Sequence, residues 1–269
     1  MTTMHRLPKS GNDWSEDDLS AYSVKIEYQD AQKFFGETPL PTPSVDQDTL
    51  TAVTADDATS SEAQNFMEHI GVVMDPIVAA EIYDMGKSPI FFLLMDLFRS
   101  LGYFPGPPSR FPSERQTLPF LNGGQTMDVR VDAHLFRTDA DANKKIVLVV
   151  HEDMSEGADP NSSARLFAEA VAAFQYNNAQ RRMVGFSELD KQVIIGIIMV
   201  LTSPSFFKIP ITQELVRGIE SGQPTSTPTT VIGFVPEVPH SNRKKDGMRP
   251  LDNRRIIFQC FEALKKLIR

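Results

Sequence analysis

The sequence has few of the residues and patterns that would assign it to a specialised class of protein. Among 269 residues the only cysteine is Cys260, which excludes an internal disulfide framework and suits a reducing compartment. The longest apolar run, Val193 to Leu201, has about half the length that a membrane-spanning helix needs. Because the N-terminal residues contain no apolar core, we expect no signal peptide and an intracellular protein, cytoplasmic or nuclear.

Several catalytic and cofactor-binding motifs are also missing. The sequence contains no Gly-x-x-x-x-Gly-Lys-Ser/Thr loop, no Gly-x-Gly-x-x-Gly after a strand and no Gly-x-Ser-x-Gly turn. The five histidines are scattered and lack the spacing of zinc ligands. These absences argue against nucleotide-binding loops of the common kinds, against an α/β-hydrolase nucleophile and against a zinc motif.

Charge is distributed unevenly along the chain. Residues 1–160 carry 26 acidic and 12 basic side chains, a net charge of −14, and residues 161–269 carry 9 acidic and 15 basic ones, a net charge of +6. A basic segment can bind a polyanion such as nucleic acid, although such segments more often only solvate a surface. The candidate nucleic-acid-binding residues are Arg243, Lys244, Lys245, Arg254 and Arg255.

Composition predicts a short tail and one domain. Residues 1–18 are polar and are predicted to be disordered, and residues 19–269 are predicted to form a single α/β domain. Residues 36–63 are rich in Pro, Thr, Ser and Asp and predict a loop or linker. Residues 64–104 have helical periodicity, and residues 117–269 are the predicted core.

The predicted core alternates strands and helices. Alternation from Val129 to Leu135 predicts a strand with one buried face, and the β-branched run Ile146 to Val150 predicts a strand buried on both faces. Apolar residues from Leu166 to Phe174 recur at helical spacing. Pro210 interrupts a later strand, which predicts an edge position. Together with an N-terminal strand over Tyr22 to Tyr28, this predicts a mixed central β-sheet flanked by helices.

Acidic side chains lie at the ends of two predicted strands. Asp128 and Asp132 belong to the first, and Glu152 follows the buried run that ends at Val150. Carboxylates at neighbouring strand ends can hold Mg²⁺ or Mn²⁺, which polarises a phosphate and lowers the pKa of a bound water. Taken alone, the spacing favours a structural role, because many α/β proteins end strands with acids that cap loops.

Two stretches are more distinctive than periodicity requires. They are Leu148-Val-Val-His-Glu-Asp153 and the helical Ala168-Glu-Ala-Val-Ala-Ala-Phe-Gln175. Shorter stretches of the same character are Asp18–Tyr22, Phe34–Gly36, Leu101–Tyr103, Thr126–Val129, Thr202–Lys208 and Arg249–Arg255. Together they resemble a large family of uncharacterised fungal proteins whose core is similar to the PD-(D/E)XK nucleases. The resemblance implies a restriction-endonuclease-like α/β fold with an N-terminal strand and helical extension, derived from a metal-dependent nuclease that hydrolyses nucleic-acid phosphodiesters.

The resemblance also implies which residues hold the metal, expected to be Mg²⁺ or Mn²⁺. Asp128 would be the first metal-binding acid, with Asp132 as a competing assignment. Glu152 would be the second acid, and the backbone carbonyl of Asp153 could add a ligand. Both acids would share one ion.

Two residues of the following helix complete the implied site. Gln175 would approach the metal in the way that a glutamine on the same helix does in related nucleases. Glu169 lies one and a half turns earlier and is either a further acid or an exposed helical glutamate, which is the commoner case.

The sequence departs from the family motif at one position. A lysine is expected two residues after Glu152, but Met154 stands there, and methionine cannot donate a charge-assisted hydrogen bond. The lysine could be replaced by Lys144, Lys145 or Arg165. His151 could handle the proton instead, although strand alternation puts it on the face opposite Glu152. The remaining alternative is a non-catalytic binding or regulatory module.

Overall fold

A single seven-stranded sheet organises the chain in the computed structural model, which describes residues 6–103, 112–138, 144–153 and 159–268. The strands are β1 (Val24–Tyr28), β2 (Pro112–Asn122), β3 (Gln125–Thr138), β4 (Lys144–Asp153), β5 (Lys191–Val200), β6 (Ser203–Thr212) and β7 (Thr229–Phe234). Their order in the sheet is β1-β7-β6-β5-β4-β3-β2. The β1–β7 and β4–β5 pairs are parallel and the others antiparallel, so the predicted mixed α/β sheet is confirmed.

Helices cover both faces of this sheet. They are α1 (Glu16–Ala21), α2 (Ala31–Phe35), α3 (Gln47–Thr51), α4 (Ser61–Val73), α5 (Pro76–Asp84), α6 (Pro89–Ser100), α7 (Ser162–Met183), α8 (Gln213–Ser221) and α9 (Leu251–Leu264). Ser60, Ser88 and Thr212 accept hydrogen bonds from backbone N–H groups in the first turns of α4, α6 and α8, which explains where these helices begin. Within the described ranges, no helix has the length and apolarity needed to cross a membrane.

The core is divided by the sheet into two layers. On one face, buried residues of α4, α6 and α9, such as Phe66, Leu97 and Phe258, form one apolar cluster. On the other face, α7 supplies Phe167 and its neighbours to a second cluster. Five of the six alanines of α7 are fully buried, and such small side chains allow the helix axis to lie close to β4 and β5.

The predicted disorder of residues 1–18 is wrong for the part that the structure describes. Residues Gly11–Asp13 form a 3₁₀ helix, and α1 begins at Glu16. Trp14 is only 1% exposed and stacks on Tyr22 and Phe167 at centroid distances of 5.6 and 6.2 Å. One large aromatic side chain therefore fixes a segment whose average composition is polar. The predicted loop over residues 36–63 also contains a short helix, α3.

Pro210 does not mark an edge strand. β6 lies inside the sheet, between β5 and β7. Its pairing with β7 covers Phe206 to Lys208, and Pro210 lies beyond that stretch, opposite Val193 of β5. The missing N–H of proline is therefore tolerated, because β7 does not pair with β6 at this position.

Candidate metal centre

Three buried side chains from three different elements meet beside the end of β4. They are Asp132 of β3, His151 of β4 and Glu169 of α7, and one potential ligand atom from each lies within 4.8 Å of the others. Their exposed fractions are 3%, 8% and 1%. This cluster could hold a metal ion.

The sheet register and the packing of α7 bring the cluster together. β3 and β4 are antiparallel and pair Ala133 with Val150, which sets Asp132 and His151 across from each other. Glu169 lies in the third turn of α7, on the side that packs against β4. The three residues are 19 and 18 positions apart in sequence (132 to 151, and 151 to 169), and only the fold makes them neighbours.

A short chain of polar contacts runs through the cluster. His151 Nδ1 lies 2.8 Å from Glu169 Oε1 and 3.7 Å from Asp132 Oδ2. The same Oδ2 atom accepts a hydrogen bond from the backbone N–H of Glu152 at 3.0 Å. Arg130 Nε lies 3.4 Å from Asp132 Oδ1. His151 is therefore fixed in orientation between two carboxylates.

Glu152 lies on the opposite face of β4, as strand alternation predicts, and it contacts the start of α6. The Ser88 hydroxyl donates to Glu152 Oε1 and accepts a hydrogen bond from the N–H of Phe91 at 2.9 Å. The backbone N–H of Ser88 donates to Glu114 Oε1 at 2.9 Å. The helix cap therefore also positions the Glu152 carboxylate.

Three buried carboxylate oxygens near the end of β4 lack a hydrogen-bond partner among the described residues. They are Asp132 Oδ1, Glu152 Oε2 and Glu169 Oε2. A buried polar atom without a partner costs about 1–3 kcal/mol, and more when it is charged. A cation bound between Asp132 and Glu169 would remove that cost for these two acids, which is why the cluster fits a metal ion. Glu152 lies on the other face of β4 and is not part of the cluster.

The pKa values of the acids reflect this crowding. Burial raises the pKa of Glu152 to about 8, the charge of Asp132 adds to the rise, and Ser88 and Arg115 act in the opposite direction. Burial raises the pKa of Glu169 to about 7, against the effect of His151. Burial alone would lower the pKa of His151, but its hydrogen bond to Glu169 and the nearby carboxylate charges outweigh this and raise it. The cluster therefore retains protons that a metal ion would displace.

No family model and no curated protein matches this chain. The case for a function therefore depends on the geometry of the site.

The structure separates the two competing aspartates. Asp132 is buried in the cluster, whereas Asp128 is exposed one residue before the buried Val129, and its backbone carbonyl accepts a hydrogen bond from Ser10 Oγ at 2.8 Å. Asp153 is buried, and its Oδ2 atom accepts from the backbone N–H of Asp159 at 3.2 Å. The Asp153 side chain therefore organises the approach to α7.

The two residues of α7 have different surroundings. Glu169 is buried in the cluster, so the interpretation as an exposed helical glutamate is wrong. Gln175 lies about 9 Å further along the helix axis. Its amide pairs with the backbone of Leu121 in both directions at 3.0 Å and donates to Glu220 at 3.3 Å. Gln175 therefore fastens α7 to β2 and does not reach the cluster.

The candidate nucleic-acid-binding residues also differ from one another. Arg254 is fully buried and donates to the backbone carbonyls of Met248, Thr49 and Ala52, so its assignment to a nucleic-acid surface is wrong. Arg243 is half-buried and donates to the Ser203 carbonyl at 2.7 Å. Lys244 is half-buried, and Lys245 and Arg255 are exposed. Two of the five positions are thus freely accessible to a large partner.

The candidate substitutes for the motif lysine lie in unsuitable places. Lys144 and Lys145 begin β4, seven or eight residues from Glu152, which corresponds to roughly 25 Å along a strand. Arg165 is paired with Asp159 at 2.7 Å. Met154 itself lies outside the described residues.

Sequence reasoning missed the groups that surround the acids on the α6 side. The Ser-Pro pair at 88–89 is a recognisable helix start, but nothing in the sequence connects it to Glu152, which is 64 residues away. The same holds for Arg115 of β2 and Tyr83 of α5, which meet only in the folded chain.

Proposed function

We propose that this protein is a divalent-metal-dependent phosphodiesterase of nucleic acids with a PD-(D/E)XK-like core. The observation that carries the proposal is the buried Asp132, His151 and Glu169 cluster with its unpaired carboxylate oxygens. Acids on two neighbouring strands followed by a helix are also the arrangement that the family resemblance implies. The proposal is therefore supported by the site and by the order of the elements that build it.

The donor atoms favour particular ions. Asp132 and Glu169 offer carboxylate oxygens, which suit Mg²⁺ and Mn²⁺, and His151 offers an imidazole nitrogen, which suits transition metals. The mixed set therefore favours Mn²⁺ over Mg²⁺. When bound, such an ion would polarise a phosphate oxygen and lower the pKa of a water molecule.

Glu152, on the face of β4 opposite the cluster, supplies a further buried acid that can take up a proton. Its Oε1 atom is held by Ser88, which leaves the unpaired Oε2 atom to accept. Burial raises its pKa to about 8, so Glu152 is ionised and able to accept a proton mainly above that pH. Ser88 acts as the residue that fixes the orientation of this base.

A non-catalytic binding module is the second candidate, and one observation favours it. His151 Nδ1 and Glu169 Oε1 already lie 2.8 Å apart. A proton shared between these two atoms stabilises the cluster without a metal ion. In that case the buried cluster would only stabilise the fold of the domain. Met154 in place of the motif lysine agrees with this reading.

Cleavage assays with matched variants distinguish the two functions. Single-stranded DNA, double-stranded DNA and RNA are incubated with wild type, Asp132→Asn, Glu152→Gln and Asp128→Asn in Mn²⁺ or Mg²⁺. We expect cleavage by wild type and by Asp128→Asn, whose substitution lies on the exposed part of β3, and strong loss in the other two. Absence of cleavage by every protein would reject the nuclease proposal.

A further inference from the structure

Arg115 lies in an unusual position on β2. Its chain neighbours pair with Ala133 and Val131 of β3, so Arg115 itself stands across from Asp132. Its backbone φ is +42°, a left-handed conformation that is costly for a residue other than glycine. Its guanidinium carbon lies 4.2 Å from the ring centroid of Tyr83. The contact with the ring positions the guanidinium beside Tyr83.

The guanidinium of Arg115 is incompletely satisfied. Its Nε and Nη2 atoms are buried, and neither has a hydrogen-bond partner in the part of the chain that the structure describes. Buried N–H donors of a charged group normally find acceptors, because leaving them unpaired is costly. Unpaired donors held in a fixed place indicate an acceptor that binds from outside.

The same region contains the complementary deficit. Asp132, which stands across from Arg115 in the sheet, has a buried oxygen without a hydrogen-bond partner and belongs to the candidate metal cluster. Glu152, on the α6 side of β4, has another such oxygen. The positive charge of Arg115 acts to lower the pKa of Glu152 and of Tyr83. The charges of Asp132 and Glu152 act to raise the pKa of Tyr83. These groups therefore lie close enough to interact electrostatically. A metal ion on the carboxylates together with an oxyanion on the guanidinium would satisfy both sets of atoms.

We propose that Arg115 binds the substrate phosphate at the metal centre, with its Nε and Nη2 donating to non-bridging phosphate oxygens. This inference rests on the proposed function. The guanidinium of Arg115 would supply the positive charge that the family motif carries on a lysine, at the position where this chain has Met154. A guanidinium fork matches the geometry of two phosphate oxygens better than an ammonium group does.

Other arginines near the acids are less suited to this role. Arg130 is half-exposed and already lies 3.4 Å from Asp132 Oδ1, so its charge is used by the metal-binding acid. Arg165 is paired with Asp159 at 2.7 Å. Arg115 is the one of the three whose buried donors Nε and Nη2 both lack a partner.

The test compares Arg115→Met with Arg115→Lys and with Arg137→Met, a half-buried arginine further along β3. In Mn²⁺ we expect Arg115→Met to lower kcat about 10²–10³-fold, with partial activity in Arg115→Lys and normal activity in Arg137→Met. We expect the thermal midpoint of Arg115→Met to equal or exceed that of wild type, because methionine removes unpaired buried donors.

Two results would overturn the inference. One is a kcat of Arg115→Met equal to that of wild type. The other is a lower kcat that becomes equal to that of wild type when it is calculated per folded molecule, because the loss would then come from unfolding alone. If wild type cleaves nothing, the nuclease proposal fails, and the inference is judged by anisotropy of a fluorescein-labelled DNA oligonucleotide in Ca²⁺. About tenfold weaker binding by Arg115→Met, with a salt slope lower by about one, supports it. Equal binding by both proteins, or none by either, rejects it.

Discussion

Arg254 offers the sharpest test of the packing described above. Its side chain is fully buried in α9 and donates to the carbonyls of Met248 at 3.0 Å, Thr49 at 3.2 Å and Ala52 at 2.6 Å. It therefore fastens the segment around α3 to α9. Replacing it with alanine leaves these buried carbonyls without a donor and creates a cavity.

The expected cost follows from these contacts. Each charge-assisted hydrogen bond contributes about 1.5–3 kcal/mol, and removing one partner of a buried charged network costs about 3–5 kcal/mol. We therefore expect Arg254→Ala to lower the free energy of unfolding by about 3–5 kcal/mol and the melting temperature by on the order of 10 °C. Although burial lowers the pKa of Arg254 to about 10, the guanidinium stays charged at neutral pH.

Urea and thermal unfolding measure this change, with Arg255→Ala as the control. Arg255 is the next residue of the same helix but is exposed, so its removal should change stability by less than about 0.5 kcal/mol. If Arg254→Ala and Arg255→Ala have the same stability, the reasoning about Arg254 is wrong.

Three further predictions concern the core and the site. Gly196→Ala would place a methyl group 2.7 Å from a leucine side chain of α7 and should destabilise the fold by about 1–3 kcal/mol. Gly71→Ala, in open space on α4, should stabilise it slightly, and urea unfolding measures both changes. Burial raises the pKa of Cys260 to about 12, so the native thiol should resist iodoacetamide at pH 8 and react only after unfolding. The free energy of unfolding should fall as pH rises above about 9, because there only the thiol of the unfolded chain ionises. Rapid labelling of the native protein would contradict this. Ser88→Ala removes a helix cap and a partner of a buried carboxylate, and calorimetry should show a loss of about 1–3 kcal/mol that Ser88→Thr largely avoids.

The elements that the sequence predicts well are those with strong local signals. The apolar run of β4 and the Ser-Pro pair that opens α6 identify their elements without knowledge of the fold. The sequence does not predict β2, because prolines and charged residues interrupt Pro112–Asn122 and only its last part, with Leu118 and Phe120 buried, alternates. Trp14 was missed because a single buried aromatic does not change the average composition of a polar segment.

The site could be predicted only in outline. Alternation puts Asp128 and Asp132 on one face of a strand, so the sequence leaves open which of them is buried, and the packing around β3 decides for Asp132. Alternation also puts His151 opposite Glu152, and that face is the one on which α7 brings Glu169. Arg254 was misassigned because a run of basic residues does not reveal which of them points into the core.

Metal binding by the buried cluster is the central claim, and a calorimetric titration with Mn²⁺ tests it most directly. Wild type and Asp128→Asn should bind one ion per chain, and Asp132→Asn and Glu169→Gln should bind it at least about tenfold more weakly, because each removes a ligand oxygen. Thermal unfolding of each variant without metal confirms that it is folded. Equal affinity in wild type and Asp132→Asn, or no binding by wild type, would contradict the account.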